Sequence, residues 1–262
     1  MIDTQLIQAY QQGESLASLS RKTGITTYSL KKELISCGIK IRSRNEQNKY
    51  NPQNQRKYKI NDSFFSQQNE NMAYLLGFFA ADGCVYEKDN GIKLTLASID
   101  RPFLEQVNNM LDSTYIIKDY ETKDGYKNSE LRFTSPQIKK DFADYNIIPK
   151  KTYNFKFPIK LQKQYYRDFI RGYFDGDGSI STAGPQAIRW QLCSHETDVL
   201  EKIIAFFEEN GIKRVAIQKV SGKNLYFIQY STKATREIFN LLYYENCFCL
   251  SRKLKKYKSL MK

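Results

Sequence analysis

YLLGFFAADG, Tyr74 to Gly83, recurs as FIRGYFDGDG, Phe169 to Gly178. Superposed, Gly77 falls on Gly172, Ala81 on Gly176, Asp82 on Asp177 and Gly83 on Gly178, at a constant offset of 95 residues. A constant offset marks a duplicated unit. Each copy predicts a helix that ends in an acid, with Gly83 and Gly178 placed for left-handed C-terminal caps. Gly77 and Ala81, four residues apart, lie on one helix face, as do Gly172 and Gly176. Glycine inside a helix is unfavourable by about 1 kcal/mol relative to alanine, whereas matched small residues let two helix backbones approach closely. The two helices are therefore expected to pack side by side, which brings Asp82 and Asp177 to one end of the seam. Carboxylates there oppose both helix dipoles and repel one another. Divalent cations would reverse both penalties.

Two aligned helices of this composition, one domain apart, resemble the paired motifs of the LAGLIDADG homing endonucleases in their single-chain form. The resemblance covers roughly Glu70 to Lys258. It implies an α+β fold of two pseudo-symmetric αββαββα repeats forming a DNA-binding saddle. It implies a site-specific double-strand endonuclease that uses Mg²⁺ (or Mn²⁺) and cuts across the minor groove to leave short 3′ overhangs. On this resemblance Asp82 and Asp177 are the catalytic, metal-binding acids, with the possibility of a shared metal between them. Ser98, Ser194 and Lys233 are candidates for organising water. An acid two residues before the catalytic one is frequent in the family. The second copy has it as Asp175, while the first has Ala80.

The chain has 262 residues, with 41 basic against 28 acidic side chains and a formal charge of +13. One or two domains are expected, and the charge favours a polyanionic partner, since binding would release counterions from phosphates. Five scattered cysteines with no CxxC pair argue against a disulfide framework or a zinc site. Met1 to Gln12 lacks a signal-peptide pattern. The longest apolar run, Met72 to Ala81, is too short to cross a bilayer. A soluble, intracellular monomer is the expectation.

Four segments are expected: residues 1–38, 39–70, 71–158 and 159–262. The first reads as three short helices. Ser15 caps the second, Gly24 makes the turn and Thr26 caps the third. This segment resembles a helix-turn-helix module, whose third helix would present Thr27, Tyr28, Ser29, Lys31 and Lys32 to DNA. A small packing unit without DNA contact is the alternative. Residues 39–70 are basic and rich in Asn and Gln, with Pro52, and read as a linker that either tracks phosphates or touches nothing.

Beyond the first motif the apolar period changes to two. Ile92, Leu94 and Leu96 predict a strand, and Arg101 to Leu111 a helix. Two further strands and a helix, Gln137 to Tyr145, follow. The second half repeats the order: LTLASIDRPFLEQV parallels WQLCSHETDVLEKI, pairing Leu96 with Leu192 and Ser98 with Ser194. IIPKKTYNFKFP connects the halves, and LSRKLKKYK follows the second. Both are cationic and are expected near phosphates or as solvated helix faces. His195, the sole histidine, reads as a surface residue.

Each half predicts a four-stranded antiparallel sheet with one face free. That face would carry Lys93, Thr95, Arg132 and Thr134 in the first half, and Arg189, Gln191, Gln218 and Gln229 in the second. Such a face can lie along a major groove and read base edges, and two unlike faces imply an asymmetric target. Double-stranded DNA is the expected partner, with no membrane. Two other functions stay open: a catalytically silent DNA-binding regulator, and a maturase that binds intron RNA.

Overall fold

The computed structural model describes residues 3–50, 56–182, 184 and 187–260. The chain divides into two compact units, residues 1–57 and 58–262.

The first unit opens with three helices, α1 (Thr4–Gln11), α2 (Leu16–Thr23) and α3 (Thr27–Ser36). Their caps are those the sequence predicts. The Ser15 hydroxyl accepts from the Ser18 N–H and the Thr26 hydroxyl from the Ser29 N–H. Gly24 ends α2 at φ 72°, a left-handed conformation that needs glycine. Tyr10, Leu19, Leu30 and Leu34 form a small separate core. The unit does not stop at residue 38. Ile39 and Ile41 pack on that core, and a short helix α4 (Arg44–Asn48) follows, started by a Ser43–Glu46 capping box. Arg42 ties this extension down. Its backbone N–H donates to the Tyr10 hydroxyl at 2.8 Å, its side chain donates to the Glu14 carbonyl at 2.6 Å, and its guanidinium lies 3.9 Å from the centre of the Tyr10 ring. Much of the expected linker is thus folded structure, and Arg42 is engaged internally. Pro52 and its neighbours at 51–55 lie outside the described residues.

The second unit begins earlier than expected. Ile60 and Phe65 are buried in its core, and the Asn61 N–H donates to the Leu111 carbonyl. It contains two copies of one arrangement. The first is α5 (Glu70–Asp82), β1 (Gly83–Val85), β2 (Gly91–Ala97), α6 (Arg101–Met110), β3 (Lys118–Glu121), β4 (Lys127–Thr134) and α7 (Pro136–Asp144). The second is α8 (Tyr166–Asp177), β5 (Ser179–Thr182), β6 (Ile188–Ser194), α9 (Thr197–Glu209), β7 (Gln218–Lys219), β8 (Tyr226–Tyr230) and α10 (Thr232–Leu242), with α11 (Ser251–Leu260) after it. Both sheets are antiparallel, in the orders β1-β2-β4-β3 and β5-β6-β8-β7. Period-two alternation explains their faces. Ile92, Leu94, Leu131 and Phe133 are buried, as are Trp190, Leu192, Ile228 and Tyr230. Trp190 stacks on Phe174 of α8, with ring centroids 4.6 Å apart.

The seam between α5 and α8 organises this unit. A side chain at Gly77 would collide with the Phe169 carbonyl, and one at Gly172 with the Tyr74 carbonyl. The two contacts are reciprocal, because Phe169 and Tyr74 are themselves related by the 95-residue offset. A Cβ at Gly176 would strike that of Ala81. The helix ends differ from expectation. Gly83 and Gly178 are extended, at φ −73° and −79°, with no left-handed cap. Glycine is needed there for space, since a Cβ at either would meet Phe79 or Phe174 four residues back. The chain runs straight from helix into strand, fixing each acid at the joint.

Candidate functional site

Asp82 is the last residue of α5 and Asp177 the last of α8, so the seam delivers both carboxylates to one end. Solvent reaches both side chains, yet protein surrounds them on their other sides. Burial pushes the Asp82 carboxyl up to about 6, the Asp177 charge adding to the shift while Lys253 and Lys151 oppose it. Asp177 is also raised by burial, against the pull of Lys151, Lys253 and His195. Gly176 matters here as well. Its missing Cβ would sit 3.2 Å from a carboxylate oxygen of Asp82.

Two buried lysines flank the acids. Lys151 donates to the Ala81 carbonyl at 3.2 Å and the Gly83 carbonyl at 2.7 Å, closing the C-terminus of α5. Lys253 does the same for α8, donating to Phe174, Gly176 and Gly178. These bonds satisfy carbonyls left open at the helix ends and set a positive charge at the negative ends of the dipoles. Each ammonium also acts across the seam. Lys253 is the stronger counter-charge to Asp82, and Lys151 to Asp177. Burial lowers both, Lys253 to about 8, against the carboxylates that hold them up. The sequence placed both lysines in cationic stretches expected near phosphates without singling either out. The signal was present: IPKK and LSRK sit at the same place after each repeat.

A cleft of roughly 220 Å³ opens beside Asp177 and Lys151, lined also by Tyr173, Ser194 and His195. Ser194 is buried at the end of β6, and its hydroxyl accepts from the Glu196 N–H at 3.1 Å. Ser98 holds the equivalent place at the end of β2. His195, read from the sequence as a surface residue, is half-exposed on the wall of this cleft. Lys233 is a correction. It lies exposed in the first turn of α10, which is fastened to β6 by the bond between Thr232 and Ile188. Ile188 and Ser194 are opposite ends of β6, about 20 Å apart along an extended strand. Lys233 therefore does not reach the acids. Asp175 lies apart from the acid pair too. It is buried and accepts from the Tyr74 hydroxyl at 2.7 Å, the Tyr243 hydroxyl at 2.6 Å and the Leu250 N–H at 2.8 Å. It anchors the chain leading to α11, so Ala80 in the first copy removes no ligand.

The two carboxylates suit a hard divalent cation. Magnesium commonly binds through one or two carboxylates, with water and phosphate oxygens completing its shell. Among the described residues no cluster of three or more acidic, Cys or His side chains competes as a metal site.

The predicted sheet faces are present, with one qualification. Thr95, Arg132 and Lys93 share a face of the first sheet with Glu130, whose carboxylate is 3.4 Å from both the Lys93 ammonium and the Thr95 hydroxyl. Arg132 pairs with Asp89 at 3.8 Å and lies over the Tyr86 ring. Arg189, Gln191, Gln218 and Gln229 share the free face of the second sheet with Ser179 and Ser181. In the first unit Thr27, Tyr28, Lys31 and Lys32 are exposed on α3. The Ser29 hydroxyl is 2.9 Å from that of Thr26 and serves the cap.

Comparison with known proteins follows the same division. The family profile described as the LAGLIDADG-like domain matches residues 69–145 and 164–243. A crystal structure of the meganuclease I-SmaMI bound to uncleavable DNA is similar at 13% identity and TM-score 0.51, over 74% of this chain and 89% of that one. Mesophilic variants of the homing endonuclease I-DmoI match at 16% identity and TM-score 0.50, over 76% and 99%. A curated relative, the DNA-directed RNA polymerase subunit Rpo1C of Methanocaldococcus jannaschii, is 22% identical over 171 residues. That match covers 63% of this chain and spans about a fifth (19%) of the relative's length.

Proposed function

The chain belongs to the LAGLIDADG-like domain family, and from that membership we propose that it is a site-specific endonuclease cleaving both strands of a long asymmetric DNA target. The observation that carries this is the acid pair. Asp82 and Asp177 are held together, partly desolvated and mutually repelling, at the end of two helices in contact. Lys151 and Lys253 offset the two acids only in part, since both carboxyls still sit above their ordinary range. A cation and a phosphate in the same place would give the arrangement a purpose.

Asp82 and Asp177 would hold Mg²⁺. When bound, the ion supplies charge neutralisation at the scissile phosphate and an activated water. The chain's own groups do the rest. Lys151 and Lys253 hold the helix ends rigid and place positive charge beside the phosphate. The free sheet faces lie along the groove and present Lys93, Thr95, Arg132, Arg189, Gln191, Gln218 and Gln229 to base edges. The unlike composition of the two faces makes the target asymmetric. The exposed residues of α3 add contacts outside the cut, and the net charge of +13 supports phosphate binding throughout.

The test is plasmid cleavage on a target found by selection, run beside a binding assay. Asp82→Asn and Asp177→Asn nearly keep shape and should keep DNA binding, while cleavage falls at least about a hundredfold in each, the scale for losing one preorganised electrostatic contact. Ca²⁺ in place of Mg²⁺ should support binding with little cutting. A double variant that cuts at the wild-type rate would place the active site elsewhere.

A further inference from the structure

We propose that His195 is a catalytic residue of one half-site only, its Nε2 taking the proton of the water that attacks the phosphate beside Asp177 and Lys151. This inference rests on the endonuclease reading and deepens it. His195 follows β6 directly and lines the cleft that contains both of those residues. Its ring is fixed on two sides. Nδ1 lies against the Asn224 carbonyl, and the Tyr153 ring packs on the imidazole with centroids 4.6 Å apart. A carbonyl oxygen only accepts, so Nδ1 carries the hydrogen and the lone pair of the neutral ring is on Nε2. The groups around it are Lys151 and Tyr153 from the connector, Tyr173 and Asp177 from α8, and Cys193, Ser194 and Glu196 from its own segment. Lys151 is already engaged with two carbonyls and, as an ammonium, only donates, which leaves the Nε2 lone pair of His195 as the side-chain nitrogen acceptor in the cleft.

The other half differs at this position. The repeat that pairs Ser98 with Ser194 pairs Ile99 with His195. Ile99 is 76% exposed, and the cleft beside it is lined by Asp100, which accepts from Arg252 at 2.9–3.2 Å. No imidazole is available there, because the chain has a single histidine. In the His195 half the step balances simply. The water oxygen bonds to phosphorus as the bond from phosphorus to the 3′ oxygen breaks. The water proton passes to Nε2, the departing 3′ oxygen takes a proton from solvent, and the imidazolium returns its proton to solvent.

The experiment uses the full chain on a selected duplex with each strand separately labelled. H195A should slow one strand about 10²–10⁴-fold, the range for losing a general base, leave the other at its wild-type rate, and accumulate nicked DNA. H195Q keeps a polar partner for Asn224 but takes no proton, so it should be equally slow. Added imidazole should restore the slowed strand in H195A, which a merely structural role would not allow. Variants that cut both strands in the wild-type ratio, or that slow both alike without imidazole rescue, overturn the assignment while the endonuclease reading stands. Wild-type protein that binds the duplex and cuts neither strand overturns both.

Discussion

The C-termini of α5 and α8 lie at the same end of the seam, share a backbone and differ in what surrounds them. At each terminus a helix runs into a strand through a glycine without room for a side chain, an aspartate sits at the joint, and a buried lysine closes the last carbonyls. Around Asp177 the cleft then holds His195, on whose ring Tyr153 packs. On the side of Ile99 the cleft is lined instead by an Asp100–Arg252 ion pair, and Asp100 helps to raise Asp82. Duplication preserved the parts that need close backbone contact, where a single Cβ is too much. It let the side chains that face outward diverge. The two strands of a target would thus meet one shared frame and two different sets of chemical groups.

Breaking the shared frame should have the largest effect on stability. Gly172→Leu would drive a side chain into the Tyr74 carbonyl, and backbone cannot yield as a side-chain tip can. The loss should reach about 3 kcal/mol or more, the upper end for overpacking. Gly211→Ala is the control. It has open space around it and only a strained φ of 81°, so it should lose about 1 kcal/mol. Denaturation midpoints of both variants check this, and a Gly172→Leu midpoint at the wild-type value would mean the seam is not what joins the halves. Next in size is the asymmetry of the acid two residues before each joint. Asp175→Ala leaves two tyrosine hydroxyls and the Leu250 N–H without their acceptor. A loss of about 2–4 kcal/mol is expected, with the Mg²⁺ dependence of any cleavage unchanged. A shifted metal requirement would instead place Asp175 in the metal site.

How much of this was legible in the sequence follows from what each signal depends on. The repeat, the seam glycines and the acid pair were legible because they are backbone constraints written as residue identity at fixed spacing. The caps of α2 and α3 were legible for the same reason, as were the strands through their alternation. The helix-end glycines were misjudged because glycine answers two demands, a left-handed φ and a lack of room, and sequence does not separate them. Lys151 and Lys253 were passed over because lysine is rarely buried, and only the fold shows the carbonyls that receive them. Lys233 was chosen by proximity to a strand end, and it proved to be the wrong end. The boundary at residue 38 failed because Arg42 looks like a linker cation until the Tyr10 ring beneath it is seen.

The smallest expected effect lies in the acid pair without metal. Asp82 moves from an ordinary 3.8 to about 6 on folding, through burial and then the Asp177 charge. Between those values the unfolded chain gives up a proton that the folded chain keeps. Stability therefore falls as pH rises from about 4 to about 6, and stays lowered above that. Asp82→Asn has no such proton to lose, so its Tm should gain on that of the wild type across this window and then run parallel. Solvent reaches the carboxylate and screens it, so the shift should be a few degrees or less. Adding Mg²⁺ at pH 7 should then raise the wild-type Tm and raise that of Asp82→Asn less, because a cation that binds only the folded chain stabilises it by mass action. Scanning calorimetry from pH 4 to 8, with and without Mg²⁺, reads both. Parallel curves from pH 4 to 6 would show that folding does not raise the Asp82 carboxyl. An equal Mg²⁺ effect in the two proteins would place the ion away from Asp82.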